Sequence, residues 1–234
     1  MDRVHRRELK HDKFVEEVGH SLEFAAEHKS QVIKYGIAAL VAIVAGIAIY
    51  MYMDSQAAVR QEALRTAMGI QQAQVGTGVG GEFIVTYPTE AEKQTALHKA
   101  LTEVVTKYPG KQEAMVAEYF LGTTAADNGN TAEAEKELKN VAEHGKADIA
   151  SQAKLSLSQL YASQGRTADA EKLLRNLMDN PTVLVSKEQA TVSLARALAG
   201  SKPDEARKLL EPLRTQHGAA SRVALTAISE LPPK

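Results

Sequence analysis

The residue types that most often carry chemistry are sparse in this chain, and their spacing limits what they can do. Four histidines, His5, His11, His20 and His28, crowd the N-terminal stretch where a metal site could form. Their separations of six, nine and eight residues do not stack two imidazoles on one helical face as i, i+4 spacing would, so solvated histidines are expected and no metal site. Gly76, Gly78 and Gly81 satisfy G-x-G-x-x-G, which cradles a pyrophosphate when it follows a strand and opens a helix. Here it follows a helical stretch and leads into EFIVTYP with no acidic residue after a second strand, so it reads as a flexible loop. G-x-S-x-G, H-E-x-x-H and a Walker lysine do not occur, and His98, His144 and His217 are scattered. The absence of Cys excludes thiol catalysis, zinc-thiolate sites and disulfides. No nucleophile, base or cofactor-binding residue can be nominated, so the expectation is a protein that is not an enzyme, with no cofactor and no small-molecule substrate.

Charge and composition point the same way. The 28 Lys and Arg against 29 Asp and Glu leave no basic footprint for nucleic acid. A chain of 234 residues can bury one ordinary core and still carry accessory segments. Ala, Leu, Glu, Lys and Gln dominate and aromatics are 5%, which favours helix because these side chains lose little rotamer freedom there.

Residues 35–53, YGIAALVAIVAGIAIYMYM, are 19 residues without a formal charge, bounded by Lys34 and Asp54. At about 1.5 Å per residue such a helix matches the roughly 30 Å hydrocarbon core of a bilayer. Tyr35 at one end and Tyr50 and Tyr52 at the other sit at aromatic-belt positions. The span follows 34 residues, where a cleaved signal would follow a short basic region, so an anchor is expected. Residues 1–34 hold seven Lys and Arg and residues 54–73 hold two, which places the N-terminus in the cytoplasm and residues 54–234 across the membrane. Ala38, Ala42 and Gly46 make a small-residue stripe that would let another membrane helix approach closely. Ahead of the span, Phe14, Val18, Leu22 and Ala25 recur at helical spacing, the pattern of a short amphipathic cytoplasmic helix.

The rest of the chain repeats with a period of 36: Ala134, Ala170 and Ala206; Leu138, Leu174 and Leu210; Val141, Leu177 and Leu213. A small Ala, then Leu four on and an apolar residue three further, is one face of a helix that approaches a preceding helix closely at Ala. That preceding helix carries Leu121, Gly122 and Ala125 in one copy and Leu157, Ser158 and Tyr161 in the next. Asp127-Asn128-Gly129 and Ser163-Gln164-Gly165 separate the paired helices, Gly supplying positive φ. Thr89 with Glu92, Ser186 with Gln189, and Ser201 with Asp204 after Pro203 mark helix starts. Leu97, Leu101, Val104 and Pro109 outline a diverged unit upstream, its first helix at about 57–74 and a Gly-rich insertion at 75–88. Val223, Ala227 and Leu231 outline a capping helix over 219–231.

Residues 90–217 resemble the tetratricopeptide repeat, W-x2-L-G-x2-Y then A-x3-F then P. Leu121-Gly122 and Tyr161 match in different copies and the small Ala in all three. Glu118, Lys154 and Ala190 replace Trp, and Ser193-Leu194 replaces Leu-Gly. The expected fold is all-α: one transmembrane helix, then an α-solenoid of about four tetratricopeptide-like hairpins with a C-terminal capping helix. One anchor followed by such repeats resembles the YfgM-like family of bacterial tetratricopeptide proteins, ancillary subunits of the Sec translocon. That resemblance implies a single-pass protein of the cell inner membrane with its repeats in the periplasm, and as partners the translocon, periplasmic chaperones or client polypeptides.

The family's usual groove positions fall at Val116, Tyr119 and Thr123, at Gln152, Leu155 and Gln159, and at Glu188, Thr191 and Ala195. None is Lys, Arg or Asn, the types that would clamp a C-terminal carboxylate, so a peptide held by apolar, amide and hydroxyl contacts is expected. The resemblance favours a scaffold or co-chaperone acting through this groove. The alternative is an assembly subunit acting through its transmembrane and cytoplasmic helices.

Overall fold

A computed structural model describes residues 29–76, 86–216 and 218–232. The readings made for the amphipathic segment 8–28, for His5, His11, His20, His28 and His217, and for Gly78 and Gly81 lie outside these residues. Among the described residues there are nine helices: α1 Lys29–Gln72, α2 Glu90–Lys107, α3 Gln112–Asp127, α4 Thr131–His144, α5 Ala147–Ser163, α6 Thr167–Asp179, α7 Lys187–Leu198, α8 Pro203–Arg214 and α9 Ala219–Ser229. The chain divides into two compact units, Met1–Ala58 and Val59–Lys234.

In the first unit, α1 is long and apolar enough to cross a membrane, with a window of mean hydropathy 2.3 and none of it buried. From Ile33 to Met53 its large apolar side chains are 50–75% exposed, an arrangement stable only where something apolar covers them. Ala38, Ala42 and Gly46 are all exposed, and a Cβ on Gly46 would meet nothing within 4 Å.

In the second unit the 36-residue ladder is the core. Ala134, Leu138 and Val141 are fully buried, Ala170, Leu174 and Leu177 are at most 2% exposed, and Ala206 and Leu210 are fully buried. Each of α4, α6 and α8 packs on the helix before it and on the helix after it. In the first hairpin, α3 and α4 approach so closely that a Cβ on Gly122 would sit 2.9 Å from Leu138 Cγ. Thirty-six residues on, Ser158 fills that place with its hydroxyl donating to the Leu155 carbonyl at 2.6 Å, and then Leu194 does, fully buried. Upstream, Leu97, Leu101 and Val104 repeat the ladder one residue out of step, 37 before Ala134, Leu138 and Val141. They bury against Ala67 of α1, so residues 59–72 and α2 complete a further hairpin.

Local signals act as their chemistry predicts. Thr89 and Ser186 accept from the backbone N–H of Glu92 and Gln189, each at 3.2 Å, and Gly129 and Gly165 take φ of 75° and 74° to close α3 and α5. Ser201 is a correction: α8 opens on Pro203, which suits the first helical position, so Lys202 is the N-cap residue and makes no side-chain cap hydrogen bond. A second correction is Val223, which is 43% exposed; Ala224, Ala227 and Leu231 face inward instead. A spacing of three then four brings small Ala224 against the neighbouring helices, where Val at the preceding position would point away. Two short strands, β1 Gln74–Val75 and β2 Thr86–Tyr87, pair in parallel and close the ends of the Gly-rich insertion.

Candidate protein-interaction surface

A helical hairpin buries its small-residue seam and leaves the outer flank of its first helix to the neighbouring hairpin. The contacts α3·α5, α5·α7 and α7·α9 run along one side, so the first helices and the cap line a common face. On that face Val116, Tyr119, Thr123, Gln152 and Glu188 are half-buried and Gln159 is exposed. Leu155, Thr191 and Ala195 are 5%, 6% and 0% exposed, so these three expected groove positions offer no surface. Leu155 and Ala195 belong to the core between the last hairpins, and Thr191 turns its hydroxyl onto the Lys187 carbonyl at 2.7 Å. Leu155, three residues after Gln152, turns into the core, whereas Ser156, four residues after it, reaches the face.

Ser156 is the residue that the spacing argument missed, and it ties two hairpins together. The Tyr119 hydroxyl lies 3.3 Å from Ser156 Oγ, and the Tyr119 ring meets Phe120 edge-on at 5.4 Å between centroids. Beside this pair a cleft of about 270 Å³ is lined by Thr123, Asp127, Ser156, Gln159 and Ser163 over Leu138 and Leu160. Hydroxyls and an amide over an aliphatic floor can satisfy peptide backbone groups while burying an apolar side chain. Gln152 is engaged otherwise, donating from Nε2 to the Leu184 carbonyl at 3.2 Å.

Polar seams recur at the same period. Asn140 Nδ2 donates to Glu118 Oε1 at 2.6 Å, and 36 residues on Lys154 Nζ donates to Asn176 Oδ1 at 3.0 Å, at the positions where the repeat pattern has Trp. Glu118 is 6% exposed, and burial pushes its pKa up to about 7, helped by a hydrogen bond and repulsion from Glu137 and opposed by Asn140 and Lys136. Charges staple the hairpins on the other flank: Glu135 binds Lys139 and Arg166, and Arg166 binds Asp169. The equivalents Glu171, Arg175, Lys202 and Glu205 repeat the cluster. Such half-exposed pairs stabilise weakly one by one and set register together. Among the described residues no group of three His, Cys, Asp or Glu could hold a metal ion.

Compared with known families, residues 26–182 match the model of a tetratricopeptide repeat-like domain, a stretch that takes in the apolar span and the hairpins through α6. Neither the curated proteins nor the solved structures contain a match to the chain.

Proposed function

The chain belongs to the family of tetratricopeptide repeat-like domains, and from that premise we propose that it is a membrane-anchored scaffold or co-chaperone. It holds polypeptide segments on the face lined by α3, α5 and α7 and does no covalent chemistry. The observation that carries this reading is the cleft beside the Tyr119–Ser156 contact, which has hydroxyls, an amide and one carboxylate, Asp127, over an aliphatic floor where two hairpins meet. A Tyr ring offers large contact area at small entropic cost, so Tyr119 is the anchor and Gln159 the amide that pairs with backbone. Affinity purification of the full chain from detergent-solubilised membranes is expected to lose partner recovery on Tyr119→Ala and to lose part of it on Gln159→Ala. Unchanged recovery in both, with loss on substitution in the span, would move the function to α1.

In this proposal the repeats stand in the periplasm and the N-terminus in the cytoplasm, as the seven-to-two excess of Lys and Arg favours. The translocon, periplasmic chaperones or their clients are the partners that the YfgM-like resemblance suggests. Protease added to spheroplasts is expected to digest residues 54–234 and spare the N-terminus. A soluble product beginning near Ala58 would remove the anchor from the proposal. The assembly-subunit reading draws on a different observation, the exposed stripe Ala38, Ala42 and Gly46 on α1. Gly46→Leu separates the two, since it leaves the Tyr119 cleft untouched.

A further inference from the structure

Outside residues 33–53, six large apolar side chains are exposed among the described residues, and four belong to the C-terminal end: Val183, Leu184, Val223 and Leu225. Val183 is 92% exposed at the tip of the connection between α6 and α7. Its loop is strapped down on both sides. The Thr182 N–H donates to the Val185 carbonyl at 2.9 Å and the Val185 N–H to Thr182 Oγ1 at 3.1 Å. That hydroxyl lies 2.7 Å from Ser151 Oγ, and Gln152 holds the Leu184 carbonyl. Val185 beneath is fully buried. A β-branched side chain presented to water on a braced turn has already lost the entropy that binding would cost it.

Next to this turn a cleft of about 340 Å³ opens between α7 and α9, with Val192, Ala219, Ala220 and Val223 in its wall. Glu188 is the one charged residue among the described residues that line it, and a hollow beneath Val183 shares Ser186 and Glu188 with it and adds Asp148 and Lys187, whose opposite charges leave the excess negative. The backbone N–H of Glu188 and the Ser186 hydroxyl lower the Glu188 pKa, so its carboxylate is charged at neutral pH. An apolar wall with a single anion at its mouth complements an apolar group joined to a cation.

We propose that the α7–α9 cleft and the Val183 turn form a second contact site, which takes an extended polypeptide segment with an aliphatic side chain in the cleft and a Lys or Arg beside Glu188. This rests on the reading that the chain holds polypeptide, but not on the Tyr119 cleft.

The test uses the full chain in zwitterionic lipid nanodiscs, with empty discs as the blank, and fluorescence anisotropy of labelled heptapeptides alternating Leu with Lys, Leu with Glu, or Ser with Lys. The Leu–Lys peptide is expected to bind, the Leu–Glu peptide about tenfold more weakly and the Ser–Lys peptide about tenfold more weakly again. Val223→Asp is expected to weaken the Leu–Lys peptide about tenfold, Val183→Asp about threefold, and Glu188→Gln is expected to remove the preference over Leu–Glu. All three positions are at least partly exposed, and unchanged melting of the variants separates lost binding from lost fold. Binding that survives Val223→Asp and Val183→Asp but disappears on Tyr119→Ala would overturn this site and leave the polypeptide-holding reading standing. No binding of any peptide would overturn it as well, as would a dimer that Val223→Asp dissociates, which would give the cleft to a second copy of the chain. The reading itself is judged separately, by partner recovery with Tyr119→Ala.

Discussion

Ala170→Phe is expected to destabilise the repeat unit by about 3 kcal/mol, the upper part of the range for overpacking a filled core. Ala170 has no exposed surface and lies with Leu157, Leu160 and Tyr161 of α5 in one cluster, so the seam between α5 and α6 is set by the small size of this side chain. A phenyl ring there must either leave its rotamer or push the helices apart. Separation would also strain the Arg166 staple, since Arg166 stands 3.9 Å over the Tyr161 ring and binds Glu135 on the preceding hairpin. Lys172→Ala, two residues away and exposed, is the control and should stay within about 0.5 kcal/mol of the parent. Urea unfolding of the detergent-solubilised chain, followed by circular dichroism, reads both. Equal midpoints would mean that the 36-residue register does not describe the packing.

Glu118→Gln is expected to stabilise the same unit by about 2 kcal/mol at pH 8 and to leave it nearly unchanged at pH 5. The carboxyl of Glu118 has its pKa raised from 4.5 to about 7 in the folded chain, by burial first and by Glu137 second. A group that holds its proton more tightly when folded contributes stability that is fully present below pH 4.5 and is lost as pH rises through about 7. Gln keeps the acceptor for Asn140 and offers an N–H to the Glu137 carboxylate, so it mimics the protonated acid at every pH. The parent should therefore lose stability between pH 5 and 8 more steeply than the variant. Parallel pH profiles would show that Glu118 carries no shifted proton. Glu137→Gln tests the pairing separately, because it removes the repulsion and should flatten the profile in part.

The ladder at 36 residues, the caps at Thr89 and Ser186, the Gly129 and Gly165 closures and the apolar span could all be read before any coordinates, and all for one reason. Each depends on residues within a turn or two along one helix, where the geometry is fixed by the 3.6-residue period and the hydrogen bonds of the backbone. Where neighbouring helices decide the outcome, reading along the chain was insufficient. Whether Leu155 or Ser156 faces the groove, and whether Val223 or Ala224 faces the core, depends on the rotation of a helix against its neighbours. That rotation is set by packing against other helices, as where Gly122 lets α3 approach Leu138 of α4. Lys202 displaced Ser201 as the cap through a single proline, a local effect that overrode the capping pattern. The Glu118–Glu137–Asn140 seam, the bracing of Thr182 on Ser151 and the cleft beside Val223 join residues 19 to 37 positions apart in sequence. Periodicity along the chain determined which faces are buried; only the packing of hairpin on hairpin decided which polar groups meet and which apolar side chains are left for a partner.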